Sequence, residues 1–214
     1  MKTARMMAIF AMVAFLSAAG SADDISAPSY RGQPGSTTQE WDFITSGQTS
    51  GYYPQPDGTG GITDNEYGTP YATVTGGSYD ADDDAWYDFT EMSFYVPNTG
   101  DYGPNTWKDM RVQITFYDDS GNDTPPEISM GADNEIWSSQ TGSVVSASGS
   151  WMCYIQDWYA DENPSSETVV VEIPDGVGTD YGVSQVVIDT ICLPEPTALA
   201  LIAIGALGLL RRRR

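Results

Sequence analysis

Residues 110–117 read MRVQITFY. Met110, Val112, Ile114 and Phe116 alternate with Arg111, Gln113, Thr115 and Tyr117. A period of two puts the apolar set on one side of an extended chain and the polar set on the other, the pattern of a half-buried strand. The alternation recurs at Thr90, Met92, Phe94 and Val96, which stop at Pro97-Asn98-Thr99-Gly100, and at Val169, Val171 and Ile173, which stop at Pro174-Asp175-Gly176. Residues 183–191 are β-branched and apolar on both faces, which predicts a strand covered on two sides. Weaker strands are expected over 40–45, 71–75, 144–147 and 151–158. Turn clusters fall between them at 58–61, Gly76-Gly77, 118–123 and 176–178. No stretch of the body has a helical period. Short strands at this spacing predict an all-β fold, a single antiparallel β-sandwich that is jelly-roll-like, with a Greek-key order as the open alternative.

Outward from that body, the two ends differ from it in chemistry. Lys2 and Arg5 precede an apolar run from Met6 to about Ala19, followed by Ala18-Ala19-Gly20-Ser21-Ala22. A charged start, a short apolar stretch and small residues are what an export signal requires, so residues 1–22 are expected to be a signal helix cut after Ala22. A membrane helix that stays attached is the alternative. Residues 23–192 are then the acidic β-sandwich domain and residues 193–214 a separate tail.

All 30 acidic residues lie between Asp23 and Glu195, where only Arg31, Lys108 and Arg111 are basic, a net of −27. Such a surface repels nucleic acid and attracts cations, so a nucleic-acid partner is excluded. Histidine is absent, which removes Ser-His-Asp and Cys-His catalysis, imidazole zinc sites and a histidine pH switch. Two cysteines, Cys153 and Cys192, in an exported chain suggest a disulfide; two free buried thiols are the alternative.

The tail reads LPEPTALALIAIGALGLLRRRR. Residues 198–210 are uncharged and, at 1.5 Å each, give roughly 20 Å of helix against a hydrocarbon core of about 30 Å. This predicts a short C-terminal transmembrane helix of marginal length. Arg211, Arg212, Arg213 and Arg214 form a cytosolic stop, because clustered basic residues stay on the cytoplasmic side. Pro194, Glu195 and Pro196 then sit at the outer boundary, held out of helix by the two prolines.

Pro194-Glu195-Pro196, a short apolar helix and a terminal arginine cluster together resemble the PEP-CTERM sorting signal of Gram-negative-type bacteria. The resemblance covers residues 193–214. It implies an exosortase, a membrane processing enzyme, as partner, and a precursor anchored in the membrane by its C-terminal helix before release or re-anchoring at the cell surface or in the extracellular matrix, among exopolysaccharide. The L-P-x-T-G signal of Gram-positive sortases fits less well: Pro196 stands at the threonine position and no glycine follows Thr197. Near the start of the body, YRGQPGSTTQEWDF (Tyr30 to Phe43) resembles an opening found in planctomycete proteins that carry this tail.

Three chemistries are open for the body. The loop YDADDDAWYDF places Asp80, Asp82, Asp84 and Asp88 close together, a candidate calcium site without the glycine or closing glutamate of an EF-hand; solvated acidic side chains are the alternative. A second acidic loop, DDSGND at 118–123, reads equally well as turn chemistry. Trp151, Tyr154, Trp158 and Tyr159 are close in sequence, with Trp151 and Tyr159 on one strand face and Tyr154 and Trp158 on the other. They could stack on sugar rings or simply fill the core. Paired carboxylates suffice for glycoside hydrolysis, but thirty acids supply such pairs by chance. The reading adopted is a non-enzymatic structural or adhesive surface protein associated with exopolysaccharide. It needs no cofactor. A calcium-dependent or lectin-like module is the first alternative and a polysaccharide hydrolase the second.

Overall fold

A computed structural model describes residues 25–44, 52–53, 67–98, 106–131, 137–161 and 163–194. The signal segment and the apolar and arginine parts of the tail, for which terminal helices were expected, lie outside these residues. The described residues contain no helix. They form β1 (Ser36–Trp41), β2 (Tyr52–Tyr53), β3 (Tyr71–Asp80), β4 (Ala85–Pro97), β5 (Thr106–Asp118), β6 (Glu127–Met130), β7 (Trp137–Ser139), β8 (Ser143–Ser146), β9 (Met152–Ala160), β10 (Ser166–Glu172) and β11 (Tyr181–Pro194). Every pairing is antiparallel, and all eleven strands belong to one branched, barrel-like sheet.

The branches arise where two long strands change partners. β4 pairs with β11 only at Trp86 and Tyr87, then with β10 from Glu91 to Pro97. β11 pairs with β4 at Gly182 and Val183, then with β1 from Val186 to Ile191. A bulge between Val183 and Gln185 marks that exchange, and a bulge is the device that bends a strand and increases its twist. One wing is therefore β2-β3-β4-β10-β6, and the other is β1-β11-β5-β9 with β7 and β8 on the outer edge of β9. Their inner faces share one core. Trp41 from β1 meets Phe94 from β4 with ring centroids 5.0 Å apart.

The alternation that opened the reading holds: Met110, Val112, Ile114 and Phe116 are all buried in the core. Residues 183–191 are buried except for half-buried Ser184, and a strap formed by residues 25–35 crosses β11 at Asp189. Arg31 reaches both oxygens of fully buried Asp189, and Tyr30 donates to the Asp189 carbonyl at 3.3 Å. Ser26 donates its N–H to Gln113 at 2.8 Å and accepts from Arg111 at 3.0 Å.

Two expectations change. β1 begins at Ser36 rather than Glu40, because Thr37 and Gln39 face inward beside Trp41 although they are polar. Gly76-Gly77 is not a turn but a bulged kink inside β3. Gly77 has φ +71, and a Cβ there would lie 2.3 Å from the Tyr87 carbonyl oxygen, so only glycine lets β3 stay against β4.

Candidate functional site

The tail leaves from a fixed strand. β11 remains hydrogen-bonded to β5 up to Pro194, whose partner is Thr106, so the first proline of the motif is already part of the sheet. Glu195, Pro196 and Arg211 to Arg214 lie outside the described residues.

All three cations of the body are used internally. Arg31 holds Asp189, Arg111 holds Asp157 through two bonds of 2.7 and 2.8 Å, and Lys108 donates to Glu167 deep in the core. Among the described acids, buried Glu40 and Asp42 both accept from Gln185 Nε2 at 2.8 Å, so they too are satisfied within the fold.

The expected disulfide is not formed; this is a correction. Both cysteines are free and buried. Cys153 pairs with Thr115 and Cys192 with Lys108, seven positions apart along β5. At about 3.4 Å per residue that is roughly 24 Å, whereas a bridge needs Cα atoms within about 7 Å. Burial pushes the Cys153 thiol up to about 11 and also raises Cys192.

The acidic loop is the turn joining β3 to β4. Asp80 accepts from the Asp82 N–H at 2.8 Å, Asp84 from the Tyr79 hydroxyl at 2.9 Å, and Asp83 from the Tyr87 hydroxyl at 2.8 Å. Asp84 and Asp88 occupy left-handed backbone at φ 50 and 51, a conformation aspartate tolerates better than most residues. Among the described residues no three His, Cys, Asp or Glu side chains gather as a metal site. The second acidic loop is also turn chemistry. Asp118 accepts from Ser120 N, Ser120 Oγ and Thr124 N at 2.9, 2.8 and 3.1 Å. Burial works against its charge, but these bonds, with one from Gly178, hold it below the ordinary carboxylate value.

The aromatic residues divide as their alternation predicts. Trp158 faces the core and Tyr154 packs against it, while Trp151 and Tyr159 lie on the outer face. Sequence spacing did not show what Trp151 joins. Tyr87 on β4 and Tyr117 on β5 are both registered opposite Gly182 on β11. A Cβ at Gly182 would lie 2.7 Å from the Tyr87 ring, so the glycine lets that ring lie flat across the strand. Trp151 meets Tyr87 and Tyr117 with centroids 6.4 and 5.8 Å away. The result is a half-exposed aromatic row across the outer face.

Toward the other end of β5 on that face, a cavity of about 190 Å³ is lined by residues including Tyr30, Asp109, Arg111 and Asp157. Burial, then the charge of Asp157, raises the Asp109 carboxyl above its ordinary value, and the Arg111–Asp157 pair stands beside it. Such a set suits hydrogen bonding to hydroxyl groups.

The last strand of the all-β body ends at Pro194, the first proline of the Pro-Glu-Pro tail. Residues 193–214 match the PEP-CTERM protein-sorting motif. That motif marks an extracellular protein sorted by an exosortase, anchored in the membrane first and then carried to the surface. No curated protein and no solved structure matches the chain.

Proposed function

We propose that this protein is a non-enzymatic component of the cell surface or extracellular matrix, carried there by a signal peptide and an exosortase, whose acidic body associates with exopolysaccharide. The carrying observation is the sorting motif at residues 193–214, which starts where β11 ends. The two wings support reading the body as a β-sandwich of jelly-roll type. The aromatic row of Tyr87, Tyr117 and Trp151 supports the glycan partner, because partly exposed rings can stack on sugar faces.

Replacing Pro194, Glu195 and Pro196 by alanine in the producing cells tests the sorting. The expected outcome is an uncut protein held in the membrane fraction; normal processing and release would sink the reading. Trp151→Ala tests the partner. It should weaken retention on the cells' own extracted polysaccharide several-fold, on the order of the 0.5–1.5 kcal/mol that a well-placed aromatic contact contributes. Equal retention by both forms removes the glycan role.

A further inference from the structure

The end of the core beside the tail is polar where an apolar layer would be expected. Lys108 and Cys192 are registered partners on β5 and β11 and face inward from one wing. Glu167 at the start of β10 and Asn98 just past β4 face them from the other. The Lys108 and Glu167 side chains are both 0 % exposed. Lys108 Nζ donates to Glu167 Oε1, and Asn98 Nδ2 donates to the same oxygen at 3.3 Å. Asn98 Nδ2 also donates to Asn163 Oδ1 and, at 2.7 Å, to the Pro164 carbonyl, so the amide is shared between those acceptors and the carboxylate oxygen that holds the amine. Glu167 Oε2 has no hydrogen-bond partner although buried. The Cys192 thiol lies 3.4 Å from Asn98 Oδ1 and 3.1 Å from Asn163 Oδ1. Val96, Ala160 and Val169, all fully buried, flank the group and keep water out.

A buried ion pair of this kind is a poor stabilising device, because desolvating two charges offsets most of their attraction. The same groups are well arranged for acyl transfer. They comprise an amine nucleophile, a carboxyl touching both the nucleophile and the leaving group, an amide electrophile, and a thiol S–H within reach of the carbonyl oxygen.

We infer that Lys108 and Asn98 form an intramolecular isopeptide bond, with Glu167 as proton shuttle. Glu167 takes a proton from the Lys108 ammonium, leaving a neutral amine and a carboxylic acid. The Nζ lone pair attacks Asn98 Cγ, and the carbonyl electrons move to Oδ1, toward the Cys192 S–H. Glu167 gives its proton to Nδ2. The Cγ–Nδ2 bond breaks, ammonia leaves, and the carboxylate recovers the surplus proton from Nζ. One C–N bond replaces another, so no oxidant or co-reactant is needed. Burial raises the Glu167 carboxyl, which favours the neutral pair the first step requires, and raises the Cys192 thiol, which keeps its S–H. The bond would tie β4 to β5 across the core, beside the strand that leads to the sorting motif.

Intact mass of the purified full chain tests this without any substitution. The expected mass is lower by one ammonia than the sequence requires after terminal processing. Cleavage before aspartate should leave residues 88–100 and 101–108 joined as a branched peptide lacking one ammonia. A missed cut at Asp101 would lack one water instead, so accurate mass and fragmentation separate the two. Glu167→Gln, checked for folding by circular dichroism, should restore the full mass and separate the peptides. Asn163→Ala should leave the branch intact. The inference is overturned if ammonia is retained and both peptides are linear, if ammonia is lost without the branch, or if the branch joins Lys108 to Asn163.

Discussion

Asp118 and Glu167 are both buried carboxylates at strand ends, one beside the β4–β11 junction and one beside the tail, and their environments are opposite. Asp118 is surrounded by backbone N–H groups and a serine hydroxyl, which favour its ionised form and hold it below the ordinary value. Glu167 is surrounded by apolar side chains, one lysine and one asparagine, and desolvation raises it despite the lysine. Burial penalises charge at both. The fixed donors decide the outcome at Asp118, whereas the Glu167 site leaves one oxygen without a donor. The first carboxylate is a rigid turn element. The second keeps proton transfer within reach.

Removing one partner at the tail end should have the largest effect. Lys108→Met removes the partner of buried Glu167 and, with it, the nucleophile of the inferred bond; breaking a buried pair from one side alone costs about 3–5 kcal/mol, and loss of the cross-link adds to that. Urea unfolding should show the free energy of unfolding fall by at least that amount, as a lower midpoint with little change in slope. A cost below about 1 kcal/mol would mean that neither an ion pair nor a covalent link at Lys108 supports the fold, and that the two sites are less different than their partners imply.

The contrast also marks how far the sequence could be read. Period two located β5, β10 and the inner face of β4, because Met110, Val112, Ile114 and Phe116 report burial through their own chemistry. The tail was legible for the same reason: prolines, an apolar run and arginines act locally. Lys108, Asn98 and Glu167 were not legible. A lysine and a glutamate 59 positions apart become core residues only when each supplies the other's charge, and no local pattern encodes that. Asn98 reads as a turn residue and serves as one hydrogen-bond centre of the buried group. Cys153 and Cys192 misled because their count suggests a bridge, while the register of β5 keeps them apart. Thr37 and Gln39 hid the first half of β1 because polar residues facing inward break the alternation. The aromatic row was missed because Tyr87, Tyr117 and Trp151 come from three separate segments.

Asp118→Asn tests the other carboxylate. The folded-state value of Asp118 is lowered, so its contribution is complete above the unfolded value of about 3.9 and is lost as pH falls toward the folded value. The substitution should cost about 1–2 kcal/mol at pH 7, since an amide replaces a charged acceptor of several hydrogen bonds. The cost should shrink steadily as pH falls below about 3.9, the unfolded value. A constant difference between the two proteins across that range would show that the backbone donors are not what holds the carboxylate.

The smallest effect belongs to the pair that resembles the Lys108 site only on paper. Arg111 and Asp157 form a two-pronged ion pair, but their side chains are 22 % and 41 % exposed. Water screens both charges, so Asp157→Asn should cost less than about 1 kcal/mol, and less again at high salt. Arg111 keeps its bond to the Ser26 carbonyl, so the strap should remain in place. A second readout separates electrostatics from packing. Asp157 is the lesser cause of the raised Asp109 carboxyl and burial the greater. Asp109 should therefore titrate lower in the variant without reaching its ordinary value. If it does not move, the raised Asp109 carboxyl is set by burial alone and Asp157 makes no electrostatic contribution to it.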